Sequence, residues 1–121
     1  MKPVEKKIEC SREFAKVSAE RLRERLFKVV LFGSVAKGLC DVDSDVDILV
    51  VVDRVSNDVK NIVAESVFEI SIKFHEPIEY IIMSIEEYKS RGKDDPFKYE
   101  VGRYGMILYN DPKSEKEIIK D

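Results

Sequence analysis

Cysteine is nearly absent from this chain, with Cys10 and Cys40 the two present. Two unpatterned thiols exclude a disulfide framework and a cysteine-rich zinc site, and read as free thiols in a reducing compartment. Histidine is scarcer still. His75 stands alone before a Glu-Pro turn, with no second imidazole to share a metal, and reads as a surface residue. No apolar run approaches the roughly 18 residues that a membrane-spanning helix needs. The lysine-rich start also lacks the apolar core of a signal peptide. These absences lead to the expectation of a cytoplasmic protein with no membrane partner. Internal repeats and low-complexity linkers are missing too, and Asn and Gln are few, a composition that tends to accompany thermophily.

The 121 residues suffice for a single domain (1–121) with one modest core. An apolar fraction of 44% beside 37% charged residues describes a globular chain with a heavily charged surface. The net charge of -3 gives no global reason to bind nucleic acid. A polyanion would have to be held locally, by a metal or a basic patch. The run "RLRERLFK" is basic, but Glu20 and Glu24 alternate with it, so it reads as a solvated helix face.

Hydrophobic spacing gives the order of elements. Ile8, Phe14, Ala15, Val17, Ser18, Leu22 and Leu26 recur at helical steps over residues 4–27. "KVVLFG", 28–33, reads as a strand running into a tight turn. "SVAKGL" reads as a short helix that starts at Ser34 and is closed by Gly38. "DVDILVVVD", 45–53, is apolar on both faces after its first residues, as a central strand is. A helix is expected over 57–74, with Asn57 or Asp58 as its cap. Within it "FEISIKF" alternates like a strand, yet the longer helical window outweighs it. "PIEYIIMS", 77–84, is a third strand, and Ser84 caps a short helix after it. "MILYND", from 106, is either a short edge strand or the tail of a helix. The fold class is therefore α/β: a small mixed β-sheet with helices packed mainly on one face and a cleft open on the other.

The stretch "LFGSVAKGLCDVDSDVDILVVVD" carries the chemistry. Asp41, Asp43, Asp45 and Asp47 crowd four carboxylates into seven residues just before the most apolar strand. Asp45 and Asp47, two apart on extended chain, point to the same face about 6 to 7 Å apart. Carboxylates so placed can share Mg²⁺, a hard cation that keeps several waters and phosphate oxygens in its shell. Upstream, Gly33 permits a close backbone approach, and Ser34 offers a hydroxyl and nearby N–H groups to an anion. A phosphate at Ser34 and a metal at Asp45 and Asp47 would meet in one cleft, and two metals about 4 Å apart suit in-line attack on phosphorus. Asp41, Asp43 and Asp53 read as solvated turn or strand-end residues.

Gly33-Ser34, ten intervening residues and Asp45-x-Asp47 together resemble the signature of the DNA polymerase β-like nucleotidyltransferase superfamily. "GSVAKG" looks like the loop of the minimal nucleotidyltransferases, small prokaryotic proteins often paired with a helical HEPN-domain partner. The order helix, strand, motif, strand, helix, strand matches that family over about residues 10–90. The resemblance implies a third carboxylate on a neighbouring strand, commonly Asp. Glu79 in "PIEYIIMS" holds that place, its extra methylene moving the carboxylate outward by about 1.5 Å. It further implies metal ligation and catalysis by Asp45, Asp47 and Glu79, and nucleotide binding by Gly33, Ser34 and Lys37. The implied substrate is ATP, with Mg²⁺ or Mn²⁺ as cofactor, and the implied reaction is transfer of AMP to a hydroxyl. By the same resemblance the acceptor is a tyrosine of a HEPN-type toxin, which makes this chain an antitoxin. Two rivals stay open: a nucleotide-binding module that neutralises its partner by contact alone, and nucleotidylation of a small molecule. Whether the chain is also a homo-oligomer is left open as well.

Overall fold

A helix must start somewhere its first N–H groups are not missed, and Pro3 at the head of α1 (Pro3–Leu22) removes one of those donors outright. The computed structural model describes residues 2–112. α1 stops at Arg23, which adopts φ 53°, so the helix expected to reach residue 27 ends five residues earlier. A single 3-10 turn (Arg23–Arg25) separates it from β1 (Leu26–Phe32), and Leu26 belongs to the strand. Then follow α2 (Gly33–Ala36), β2 (Val46–Val52), α3 (Asn57–Phe74), β3 (Ile78–Ser84), α4 (Ile85–Ser90), α5 (Pro96–Tyr104) and β4 (Met106–Asn110).

Caps explain most of these boundaries. The cap of α3 is Ser56, whose hydroxyl accepts from Val59 N at 3.2 Å, and not Asn57 or Asp58, which already lie inside the helix. α3 stays helical through "FEISIKF" and ends where His75 takes the left-handed conformation and Glu76 N reaches back to Ser71 O. His75 is exposed, as its isolation in the chain implied. Ser84 caps α4 through Glu87 N, and Asp95 caps α5 through Lys98 N, with Pro96 at its first position. The segment from 106 resolves its ambiguity as a strand, because Val29, Val30 and Leu31 of β1 offer it a ladder.

The sheet order is β3-β2-β1-β4. β1 pairs antiparallel with β2 and β4, while β2 and β3 run parallel, joined across α3. β2 is interior, and Val46 and Ile48 to Val52 are essentially sealed from water. Burying each such aliphatic side chain contributes about 1.5 to 3 kcal/mol, which makes this strand the anchor of the fold. The two long helices α1 and α3 cover one face of the sheet. The short helices α4 and α5 cover part of the other. Beside β3 that second face remains open, and Ile81 there is 38% exposed. No helix among the described residues is long and apolar enough to cross a membrane.

Candidate active site

β2 sorts its side chains by parity. Val46, Ile48, Val50 and Val52 enter the core under α1 and α3, whereas Leu49 and Val51 enter the one under α4 and α5. Asp47 therefore stands on the second, partly open face, and so does Asp45, which lies just before the strand and not within it. On β3, Ile78, Tyr80 and Ile82 pack on the first core and Met83 on the second, which puts Glu79 on Asp47's face. Register completes the arrangement: Asp47 has Phe32 as its ladder partner on one side and Glu79 on the other.

Phe32 immediately precedes the Gly-Ser turn, so the ladder brings both halves of the motif together. Gly33 has φ 74°, a conformation that favours glycine. A Cβ added there would be driven into Asp47 Oδ2. The turn and the carboxylate thus touch, and glycine is required on both counts. α2 is a single turn of four residues, too short for a substantial helix dipole. An anion held at Ser34 would therefore meet the N–H groups of that first turn and the hydroxyl, with little help from a dipole. Gly38, also at positive φ, closes the turn as its sequence position suggested.

Charge is crowded here. Burial pushes the Asp47 carboxyl from 3.8 up to about 6, and Glu79, Asp45 and Glu100 push it the same way. Asp47 thus feels both of the other carboxylates expected from the sequence. Glu100 is a fourth that sequence reasoning missed, because the helix carrying it was missed. The start of that helix is legible in hindsight as Asp95-Pro96, a cap followed by a first-position proline. α5 docks through an edge-on contact of Phe97 with Phe32, ring centroids 5.3 Å apart. Its Glu100 then accepts a 2.6 Å ion pair from Lys37, whose ammonium also lies 5.0 Å from the Tyr104 ring. That hydrogen bond holds the Lys37 ammonium above its ordinary value. Lys37 is therefore engaged by its own chain, through α5. Asp41 builds the intervening loop, accepting from Asp43 N and bonding Ser44, in keeping with a turn residue.

The residues fit a divalent cation. Among the described residues no group of three or more Asp, Glu, His or Cys side chains is placed to hold a metal ion as it stands. The donors present are carboxylate oxygens, which suit Mg²⁺, and that ion completes its shell with water and phosphate oxygens. The raised Asp47 pKa marks a carboxylate held away from water first and beside other carboxylates second, and such a cation would offset both. Asp45, Asp47 and Glu79 are the carboxylates that would have to close on it, with a nucleotide's phosphates supplying the remainder.

Comparison with known proteins gives the family and the fold. A protein of Methanocaldococcus jannaschii named "Putative protein adenylyltransferase" is 47% identical over 45 residues, covering 37% of this chain and 46% of that one. The chain thus spans less than half the length of that curated relative. Among solved structures, a chain of a toxin–antitoxin complex with AMP-PNP superposes with a TM-score of 0.58 at 18% identity, covering 90% of this chain and 82% of the other. A chain from the complex of a tri-AMPylated Shewanella oneidensis HEPN toxin with its MNT antitoxin gives 0.55 at 15% identity, covering 93% and 79%. At such identities these two establish the shared fold. The family model for the nucleotidyltransferase domain matches residues 12–103, most of the described structure, and the chain belongs to that family.

Proposed function

We propose that this protein transfers AMP from ATP to a hydroxyl group on a protein partner, with Mg²⁺ held by Asp45, Asp47 and Glu79. The observation that carries the reading is the contact of the Gly33 turn with the Asp47 carboxylate, set by the Phe32–Asp47–Glu79 register. It sets the backbone of the Gly-Ser turn directly against the Asp47 carboxylate, with no side chain between them.

In the proposed reaction, N–H groups of the turn and the Ser34 hydroxyl orient the triphosphate. Asp45, Asp47 and Glu79 fix the cation, which when bound neutralises charge building on the reacting phosphorus. The acceptor oxygen bonds to the α-phosphorus as the bond to pyrophosphate breaks, and the hydroxyl proton passes to a carboxylate of the site. Lys37 joins the phosphates once it leaves Glu100.

The acceptor is proposed to be a tyrosine of a HEPN-type toxin, which makes this chain the antitoxin of a pair. Support comes from the toxin–antitoxin neighbours and the adenylyltransferase relative. The open face beside Glu79 and Ile81 leaves room for a macromolecular acceptor. Incubation with labelled ATP, Mg²⁺ and the product of the neighbouring gene, followed by mass spectrometry of both proteins, tests it. An AMP adduct on the partner, lost with Asp45→Asn/Asp47→Asn, is the expected result. Neutralisation of the partner without any adduct would instead identify a module that acts by contact alone.

A further inference from the structure

Lys7 on α1 is fully buried, a rare position for an ammonium. Its Nζ donates to Ser44 O at 2.6 Å, to Val42 O at 3.3 Å and to Glu76 Oε1 at 2.6 Å. Three N–H donors meet three acceptors, so the group is satisfied. Glu76 is nearly as buried, and its second oxygen lies 3.9 Å from Lys6. Cys10, one turn along α1, has its thiol pushed up to about 11 by burial and by Glu76.

The placement of those acceptors is the informative part. Ser44 immediately precedes Asp45, and Glu76 lies three residues before Glu79. Between them, Val46 N donates to Pro77 O at 2.9 Å, tying the start of β2 to the start of β3. One ammonium thus grips both chain segments that deliver carboxylates to the site, from the opposite side of the sheet. A pair required only for core stability would have no need of the two loop carbonyls, and an apolar pair of similar volume would serve as well.

We infer that Lys7, neutralised by Glu76, is a positioning residue that sets the spacing of Asp45 and Asp47 relative to Glu79 for metal–nucleotide binding. The inference rests on the proposed nucleotidyltransferase site. Without Lys7 the carbonyls of Val42 and Ser44 lose their partner, the loop gains freedom, and the carboxylates must be ordered as the ligand binds.

The test uses the full chain and three variants: Lys7→Met, Glu76→Gln, and Lys7→Met/Glu76→Met. Stability is read by urea denaturation, affinity for Mn²⁺-ATP by calorimetry, and loop order by hydrogen exchange at the Ser44 and Val46 amides. Lys7→Met leaves Glu76 buried without its partner, so where that variant does not fold the double variant carries the test. Affinity should fall about tenfold to a hundredfold in each folded variant lacking Lys7, as loss of a group that orients metal ligands does. Exchange at Ser44 and Val46 should rise there while the interior of β2 stays protected. Glu76→Gln keeps the ammonium and its carbonyl bonds, so it should lose stability while its affinity stays within about threefold of wild type. Folded double variant with wild-type affinity and wild-type exchange would overturn the inference and leave the site intact. So would affinity that tracks stability across all three variants. Wild type that binds no Mn²⁺-ATP would overturn the reading of the site itself, and this inference with it.

Discussion

Replacing Asp47 with Asn should make the metal-free protein more stable at neutral pH, although it removes a residue assigned to the site. The Asp47 carboxyl titrates at 3.8 when unperturbed and at about 6 in the fold. The folded state therefore holds its proton to higher pH than the unfolded chain does. Below 3.8 both states are protonated and Asp47 contributes nothing. Stability falls as pH rises between 3.8 and about 6, and above 6 the full penalty applies. At about 1.36 kcal/mol per pH unit the gap corresponds to about 3 kcal/mol. Asp47 is only half-buried, and screening by water reduces this to about 1 to 2 kcal/mol. Urea denaturation in a metal-free buffer at pH 4 and pH 7.5 measures it. Asp47→Asn should gain about 1 to 2 kcal/mol at pH 7.5 and little at pH 4. Added Mg²⁺ with ATP should then stabilise wild type and not the variant, reversing the order. A variant equally or less stable than wild type at pH 7.5, or a difference independent of pH, would refute the claim that burial and neighbouring carboxylates raise the Asp47 pKa.

Other expectations follow from the same geometry. Gly33→Ala should lose about 1 to 2 kcal/mol from positive φ alone and abolish ATP binding by displacing Asp47, as urea titration and calorimetry would show; retained affinity would mean that the turn does not meet the phosphates. Glu79→Ala should slow AMP transfer on the order of a hundredfold, since a metal ligand supplies a few kcal/mol in the transition state, and Glu79→Asp should alter the rate. Wild-type rates in both would remove Glu79 from the site. Asp95→Ala should cost about 1 kcal/mol by uncapping α5, and hydrogen exchange should localise the loss to residues 96–104; uniform exchange across the chain would count against the cap.

Much of this architecture was legible because local and global signals agreed. The apolar run of β2, the period of α3 and the cap at Ser84 each pointed to what the fold contains. That Asp45 and Asp47 share a face could be expected because side-chain alternation is a geometric consequence of an extended chain, whereas Glu79 was singled out through the resemblance of the motif. The failures have physical causes. α1 ends early because Arg23 turns to positive φ, which no hydrophobic pattern records. α5 was missed because only Val101 in it is buried, leaving little periodicity to read. Glu100 and Lys7 could not be placed at the site from sequence, since their partners lie 63 and 69 residues away, at Lys37 and Glu76, and each looks locally like an ordinary surface charge. Long-range polar pairing leaves no periodic trace.

The antiparallel ladder between β1 and β2 acts as a ruler. Gly33 and Asp47 are kept adjacent by the Phe32–Asp47 register, so the distance between turn and carboxylate is fixed by hydrogen-bonded strands and not by the length of chain joining them. The joining loop is tethered at Val42 and Ser44 but carries only exposed residues at Lys37, Gly38 and Leu39. Extra residues inserted beside Gly38 would lengthen a span whose two ends are already clamped. Such closure costs only about 0.6 kcal/mol for each doubling of loop length. The ten-residue interval in the motif is thus a habit of the loop, while the distance from the turn to Asp47 belongs to the sheet.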